Sequence, residues 1–277
     1  MEMLETVKYL IGSRGASGFG SKSTADQVTE TCPDLRSITA NITGNGISAE
    51  TAWVLAKRGA RLVLPARNLK AAEETKARSF LTPRSSNNAG KFAHEHAISE
   101  DGIEMTFATN YLGKNRERVV SINGWFSGNM IGYLGQISRN KSEYDATRAY
   151  ALSKLANVLH TKELAQRLKE MGANVTINCV HPGIVKTRLT REREGFFTDL
   201  VFFVASKLLK TIPQAASTTC YVATHPRVEN VSGKYFAGCN EARTSKLAST
   251  PTEASRLWAA SEIMVSVPLI DHYHKYN

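Results

Sequence analysis

The segment that most restricts how this chain can fold runs from residue 37 to residue 64. Ser37 to Ile42 reads as a short strand, Thr43-Gly44-Asn45-Gly46-Ile47 as a tight glycine turn, and Ser48 to Lys57 as an amphipathic helix with Ala52, Leu55 and Ala56 on its apolar stripe. Gly59 stops the helix, and Arg61 to Leu64 reads as a second strand. Strand, turn, helix and strand within about 30 residues make a βαβ unit with parallel strands. Parallel sheets are covered by helices on both faces, so this unit commits the chain to an α/β architecture. The turn also has a chemical use. Glycines let the backbone approach a pyrophosphate, and the helix behind them offers unpaired N–H groups and the positive end of its dipole. Gly44, Asn45, Gly46 and Ile47 are therefore the candidate phosphate cradle.

Arg67 follows the second strand. An acid at that place holds the ribose hydroxyl of NAD, whereas a basic residue suits the 2′-phosphate of NADP. A plain surface arginine is the other reading. A second glycine cluster, Gly15 to Gly20, follows the apolar Val7 to Ile11. What comes after it is polar, with Ser23 and Asp26 spaced like a helix cap, so it opens no apolar crossover helix.

Composition sets outer bounds. At 277 residues, 42% hydrophobic and 22% charged, the chain has the make-up of an ordinary globular protein with a sizeable core. Its net charge of +10 suits an anionic partner such as a phosphate-bearing cofactor. The basic residues are scattered, and no like-charge run argues for nucleic acid. Cys32, Cys179, Cys220 and Cys239 have no Cys-x-x-Cys spacing, which points to free thiols in a reducing compartment. His94 and His96 lack the further ligands a metal would need. No apolar run reaches the roughly 18 residues of a membrane span, and the acids among the first eleven residues argue against a secretory signal.

Further along, Asn87-Asn88-Ala89-Gly90 is turn-like and Val119 to Ile122 reads as a buried strand. The segment from Tyr144 to Met171 is the strongest helix signal, ended by Gly172. Leu152, Leu155 and Leu159 share one face of it, with Tyr150 and Lys154 on the other side. Tyr150 and Lys154 are four residues apart, so they stand one turn apart on the same face. An ammonium beside a phenol favours the phenolate and lowers the phenol pKa from its usual value of about 10. That makes a tyrosine serviceable as a general acid or base. Asn174 to Val180 reads as a strand, and His181-Pro182-Gly183 turns the chain at its carboxyl end, where open parallel sheets bind ligands.

In this order, the glycine turn, Arg67, Asn87 to Gly90, Asn110, Tyr150 with Lys154, and Pro182-Gly183 with Thr187 resemble the short-chain dehydrogenase/reductase family. The retinol-dehydrogenase-like plant branch associated with the chloroplast inner envelope is especially similar around residues 12–19, 148–170, 212–216 and 231–236. The resemblance implies one α/β domain over 1–277, built on a Rossmann-like doubly wound parallel sheet. Within it, 1–36 is an N-terminal extension, 37–190 the cofactor and catalytic core, 191–212 a substrate lid and 213–277 the C-terminal part. It implies an oxidoreductase that uses NADPH on a small alcohol or carbonyl compound. Tyr150 would protonate the carbonyl oxygen, Lys154 would tune Tyr150 and hold the nicotinamide ribose, and Asn110 would hold a water in the proton relay. Asn88, Ala89 and Gly90 would line the adenosine side, and Pro182, Gly183, Val185 and Thr187 the nicotinamide end. A chloroplast location, in the inner envelope or stroma, rests on the resemblance alone; otherwise the chain reads as cytoplasmic.

The chain also departs from the family pattern. Only Asn45 separates Gly44 from Gly46, and Ser48 stands where the third glycine belongs. The 19 residues between Arg67 and Asn87 leave room for one helix, Leu69 to Phe80, and imply an incomplete sheet lacking two strands and a helix, one strand being central. The family's carbonyl-polarising serine falls at Asn123 or Gly124. A catalytically impaired binding or regulatory protein is therefore the alternative function. Apolar residues on more than one side of helix 144–171 suggest a homodimer, and the basic, apolar stretch from Phe196 to Leu209 suggests peripheral membrane contact.

Overall fold

Thr39–Thr43 (β1) buries Ala40 and Ile42 and exposes Thr39, the alternation of a strand covered on its inner face. The computed structural model describes residues 2–32, 34–43, 46–64, 86–87, 95–99, 102–111, 120–121, 129–185 and 209–266. Upstream of β1 stand the helices Glu2–Ile11 (α1) and Ala25–Glu30 (α2). The cap of α2 is Thr24 with Gln27 in a reciprocal capping box, in place of the expected Ser23; the Ser23 hydroxyl instead accepts from the Gly20 N–H.

Ile47–Lys57 (α3) and Arg61–Val63 (β2) complete the βαβ unit. β2 pairs in parallel with β1, Thr39 opposite Arg61 and Asn41 opposite Val63. Gly59 closes α3 at a φ of +89°, where a Cβ would also meet the Arg36 side chain. On the other side of β1 lies Ser86–Asn87 (β3), parallel, with Ile42 opposite Ser86 and Thr43 opposite Asn87. The expected loss of a central strand is therefore corrected: the place beside β1 is filled by β3. Among the described residues these three strands form one sheet, in the order β2, β1, β3. The expected helix Leu69 to Phe80 lies outside the described residues.

β3 lies next to Val120–Ser121 (β4), which opens a second, four-stranded sheet. Its order is β4, Cys179–His181 (β5), Tyr235–Ala237 (β6) and Asn240–Glu241 (β7). β4, β5 and β6 are parallel, and β7 returns antiparallel through a two-residue hairpin. Both hairpin residues, Gly238 and Cys239, have positive φ, the pattern that matches the strand twist.

Cys179 and Val180 are successive residues of β5, and they join different clusters. Cys179 packs with Met105–Asn110 (α4), Met130–Arg139 (α5), Ala146–Glu170 (α6) and Pro251–Ser266 (α8). Val180 faces Val28 of α2 and Tyr221 of Ile212–Thr224 (α7). A third cluster joins α2, β1, α3 and α7. The sheet is thus wound on both faces, as the α/β reading requires. Ala25, Val28 and Leu35 are fully buried, so the segment delimited as an extension enters the core from α2 onward.

α6 differs from the expected two-faced helix. Residues 151–159 are all buried, Lys154 among them. The sheet and α4 cover part of it, and α8 covers another part through Ala254 and Leu257. α8 thus covers part of the apolar surface of α6 within the chain, while Leu164 and Leu168 stay half-buried. No described helix is long and apolar enough to cross a membrane. The stretch Phe196 to Leu208 lies outside the described residues.

Candidate active site

α6 starts at Asp145, whose carboxylate accepts the Arg148 N–H, and it holds Tyr150 and Lys154 in its second and third turns. Their side chains meet as the spacing requires, with the Lys154 Nζ 5.1 Å from the centre of the Tyr150 ring. Lys154 is only 4% exposed. Burial pushes its ammonium down from 10.5 to about 8 and pushes the Tyr150 phenol above its ordinary value. The expected lowering of the phenol pKa is thus overturned in the protein alone. Both groups are driven toward their neutral forms, because losing water outweighs their mutual attraction.

Asn110 sits at the end of α4, fully buried against α6. Its Nδ2 donates to the Ser153 hydroxyl at 3.1 Å, and Ser153 donates to the Tyr150 carbonyl at 2.8 Å. Asn157 Nδ2 donates to the Asn110 carbonyl at 3.1 Å. Ser153 and Asn157, one turn apart, therefore clamp α4 onto the turn that carries Tyr150 and Lys154. Sequence reasoning passed over both; the available signal was two polar residues one turn apart on a stretch that is apolar apart from them and Lys154. At the other end of α4 the buried Glu104 carboxylate accepts from the N–H groups of Thr106 at 2.7 Å and Phe107 at 2.8 Å. That cap sets the helix, and with it Asn110, against α6.

The glycine turn is described from Gly46 onward. Gly46 is exposed at a φ of +64°; among the described residues nothing lies within 4 Å of where a Cβ would be, and no side chain caps α3. An open backbone at an uncapped helix start, behind the carboxyl end of β1, fits the pyrophosphate of a dinucleotide. Gly44, Asn45, Arg67, Asn88, Ala89, Gly90 and Thr187 lie outside the described residues, as do Asn123 and Gly124. The competing cluster Gly15 to Gly20 is pinned to β7 instead: Asn240 accepts from Ser17 N–H and donates to the Phe19 carbonyl.

Pro182 and Gly183 are buried in the turn after β5, Gly183 at a φ of +92°. Val185 bridges in parallel to Lys210, whose N–H donates to the Ile184 carbonyl at 2.9 Å. Two residues not singled out from sequence close on this turn. A Cβ on Gly183 would come within 2.7 Å of the Lys210 side chain and 2.8 Å of the Tyr9 hydroxyl. Among the described residues no group of His, Cys, Asp and Glu is arranged to hold a metal.

The Lys154 shift has a signed consequence for stability. With a folded value near 8 against 10.5 unfolded, the unfolded chain binds more protons between those limits. Stability from this group therefore rises with pH from about 8 toward 10, at up to about 1.4 kcal/mol per pH unit, and its full cost persists below 8. Lys210 adds a similar slope, so the readout is the difference between wild type and Lys154→Met. Denaturant titrations at pH 7.5, 8.5 and 9.5 should show the variant's advantage shrinking as pH rises. A constant difference would contradict the buried ammonium.

The family model described as short chain dehydrogenase matches residues 86–195, from β3 through Tyr150, Lys154 and the Pro182-Gly183 turn. Short-chain dehydrogenase TIC 32 A, chloroplastic, of Brassica napus is 36% identical over 326 aligned positions, taking in 96% of this chain and 100% of that protein. The aligned span exceeds the 277 residues here, so the match is interrupted where this chain is shorter. Retinol dehydrogenase 14 of Homo sapiens is 36% identical over 201 positions, 65% of this chain and 58% of that protein. Among solved structures, an uncharacterized protein from Mycobacterium paratuberculosis shares the fold with a TM-score of 0.65 at 23% identity, over 88% of this chain and 97% of that one. A short chain dehydrogenase from Burkholderia cenocepacia J2315 in complex with NADP gives a TM-score of 0.50 at 19% identity, over 74% of this chain and 97% of that one.

Proposed function

The chain belongs to the short-chain dehydrogenase/reductase family, and from that premise we propose that it transfers a hydride between NADP(H) and the alcohol or carbonyl group of a small molecule. One observation carries this reading: the Tyr150–Lys154 pair, packed together and screened from water on a helix clamped to Asn110. The cofactor, when bound, supplies or accepts the hydride. Tyr150 handles the proton, donating it from Oη to the carbonyl oxygen in reduction and taking it back in oxidation. A lysine titrating near 8 is still largely charged at neutral pH, so Lys154 is positioned to favour the phenolate when Tyr150 gives up its proton.

Gly46 and Ile47, with Gly44 and Asn45, take the pyrophosphate in this proposal. Arg67 takes the 2′-phosphate, Asn88, Ala89 and Gly90 the adenosine side, and Pro182, Gly183, Val185 and Thr187 the nicotinamide end. A chloroplast address, at the inner envelope or in the stroma, is part of the proposal and draws on the chloroplastic relatives.

The test is a fluorescence titration of the purified chain with NADPH and, separately, with NADH. Saturation by NADPH at micromolar concentrations, with NADH at least tenfold weaker, is expected. Absence of binding up to millimolar NADPH would sink the proposal. A second reading, an impaired family member that only binds, is favoured by the turn in which a single residue separates Gly44 from Gly46. Tight NADPH binding without turnover of any aldehyde or ketone would select it.

A further inference from the structure

The turn after β5 is roofed by two polar groups that the proposed chemistry does not use. Lys210 is 7% exposed, and neither its Nζ nor the Tyr9 hydroxyl finds a hydrogen-bond partner among the described residues. They lie together: the ammonium is 5.2 Å from the centre of the Tyr9 ring, and both side chains crowd the same point above Gly183. Among the described residues no carboxylate contributes to the shift of Lys210, and the neighbour that does is Cys239, itself held as a neutral thiol by burial. An ammonium kept from water without an acidic partner is costly, and the cost is relieved by an anion. The pair sits at the carboxyl end of β5, the edge of an open parallel sheet that receives ligands.

We propose that Lys210 and Tyr9 form an anion subsite over the Pro182-Gly183 turn, taking the carboxylate or phosphate group of a small molecule. The ammonium supplies charge and up to three donors, and the phenol hydroxyl a further one. Both atoms are shielded, and α1, which carries Tyr9, forms part of their cover. Among the described side chains of α1, Tyr9 packs inward, while Val7, Lys8, Leu10 and Ile11 are exposed. The backbone tie is the Ser21 hydroxyl donating to the Tyr9 carbonyl.

The experiment is a thermal melt of the full chain with inorganic phosphate, with acetate and with chloride at matched ionic strength. It is run on wild type, Lys210→Met and Tyr9→Phe, each saturated with NADPH where NADPH binds. Wild type is expected to rise by about 3–5 °C at ten times the dissociation constant of the preferred anion, and not with chloride. Lys210→Met should melt higher than wild type in chloride and lose the anion-dependent rise. Tyr9→Phe should keep part of that rise. The larger of the phosphate and acetate responses identifies the group recognised. An equal rise in wild type and Lys210→Met, no rise in wild type with either anion, or a Lys210→Met that melts lower in chloride would overturn the subsite. NADPH fluorescence, read separately, passes or fails on its own.

Discussion

Tyr150→Phe is expected to lower turnover of any carbonyl substrate by roughly 100- to 10,000-fold while NADPH affinity stays within a factor of about two. The phenol packs beside Lys154 and can give and regain a proton, and phenylalanine keeps the ring that packs there. A binding protein with no chemistry would show no such loss, and a fall in affinity alone would mean that the ring matters and the hydroxyl does not. The pH profile adds a check. Burial holds the phenol above its ordinary value in the protein alone, so the oxidation rate should climb with rising pH as the proton is lost, and the residual rate of Tyr150→Phe should not.

Glu104→Ala is expected to cost about 2–4 kcal/mol, a large share of the roughly 5–15 kcal/mol of a typical domain. The carboxylate is fully buried and receives two backbone N–H groups at the start of α4, and alanine leaves both unmet. Glu104→Gln, retaining one acceptor oxygen, should lose about half as much. Urea midpoints should shift with little change in slope. Because α4 carries Asn110 onto α6, turnover should fall further than stability alone explains. Full retention of both properties in Glu104→Ala would refute the link between cap and site.

Much of this was open to inspection along the chain. Residues 48–57 read as a helix after a glycine turn because of their apolar spacing and the stop at Gly59, and the structure has that helix, begun one residue earlier at Ile47, between two parallel strands. The one-turn distance between Tyr150 and Lys154 followed from helical geometry in the same way. β3 was not legible. Two residues of ladder beside β1 carry no periodic signature, and the short stretch before them concealed a strand that pairing alone could reveal. Nor could α6 be recognised as covered by α8, since the residues that cover it lie about a hundred positions downstream.

Local order, then, determined the βαβ unit, the parallel architecture and the one-turn spacing of Tyr150 and Lys154, because backbone sterics and apolar spacing act between near neighbours. Tertiary structure decided the sign of the Tyr150 shift, the clamp by Ser153 and Asn157, and the meeting of Tyr9 with Lys210 over Gly183. Those depend on which distant groups exclude water and which stay without a partner, quantities that exist only once segments far apart in the chain are brought together.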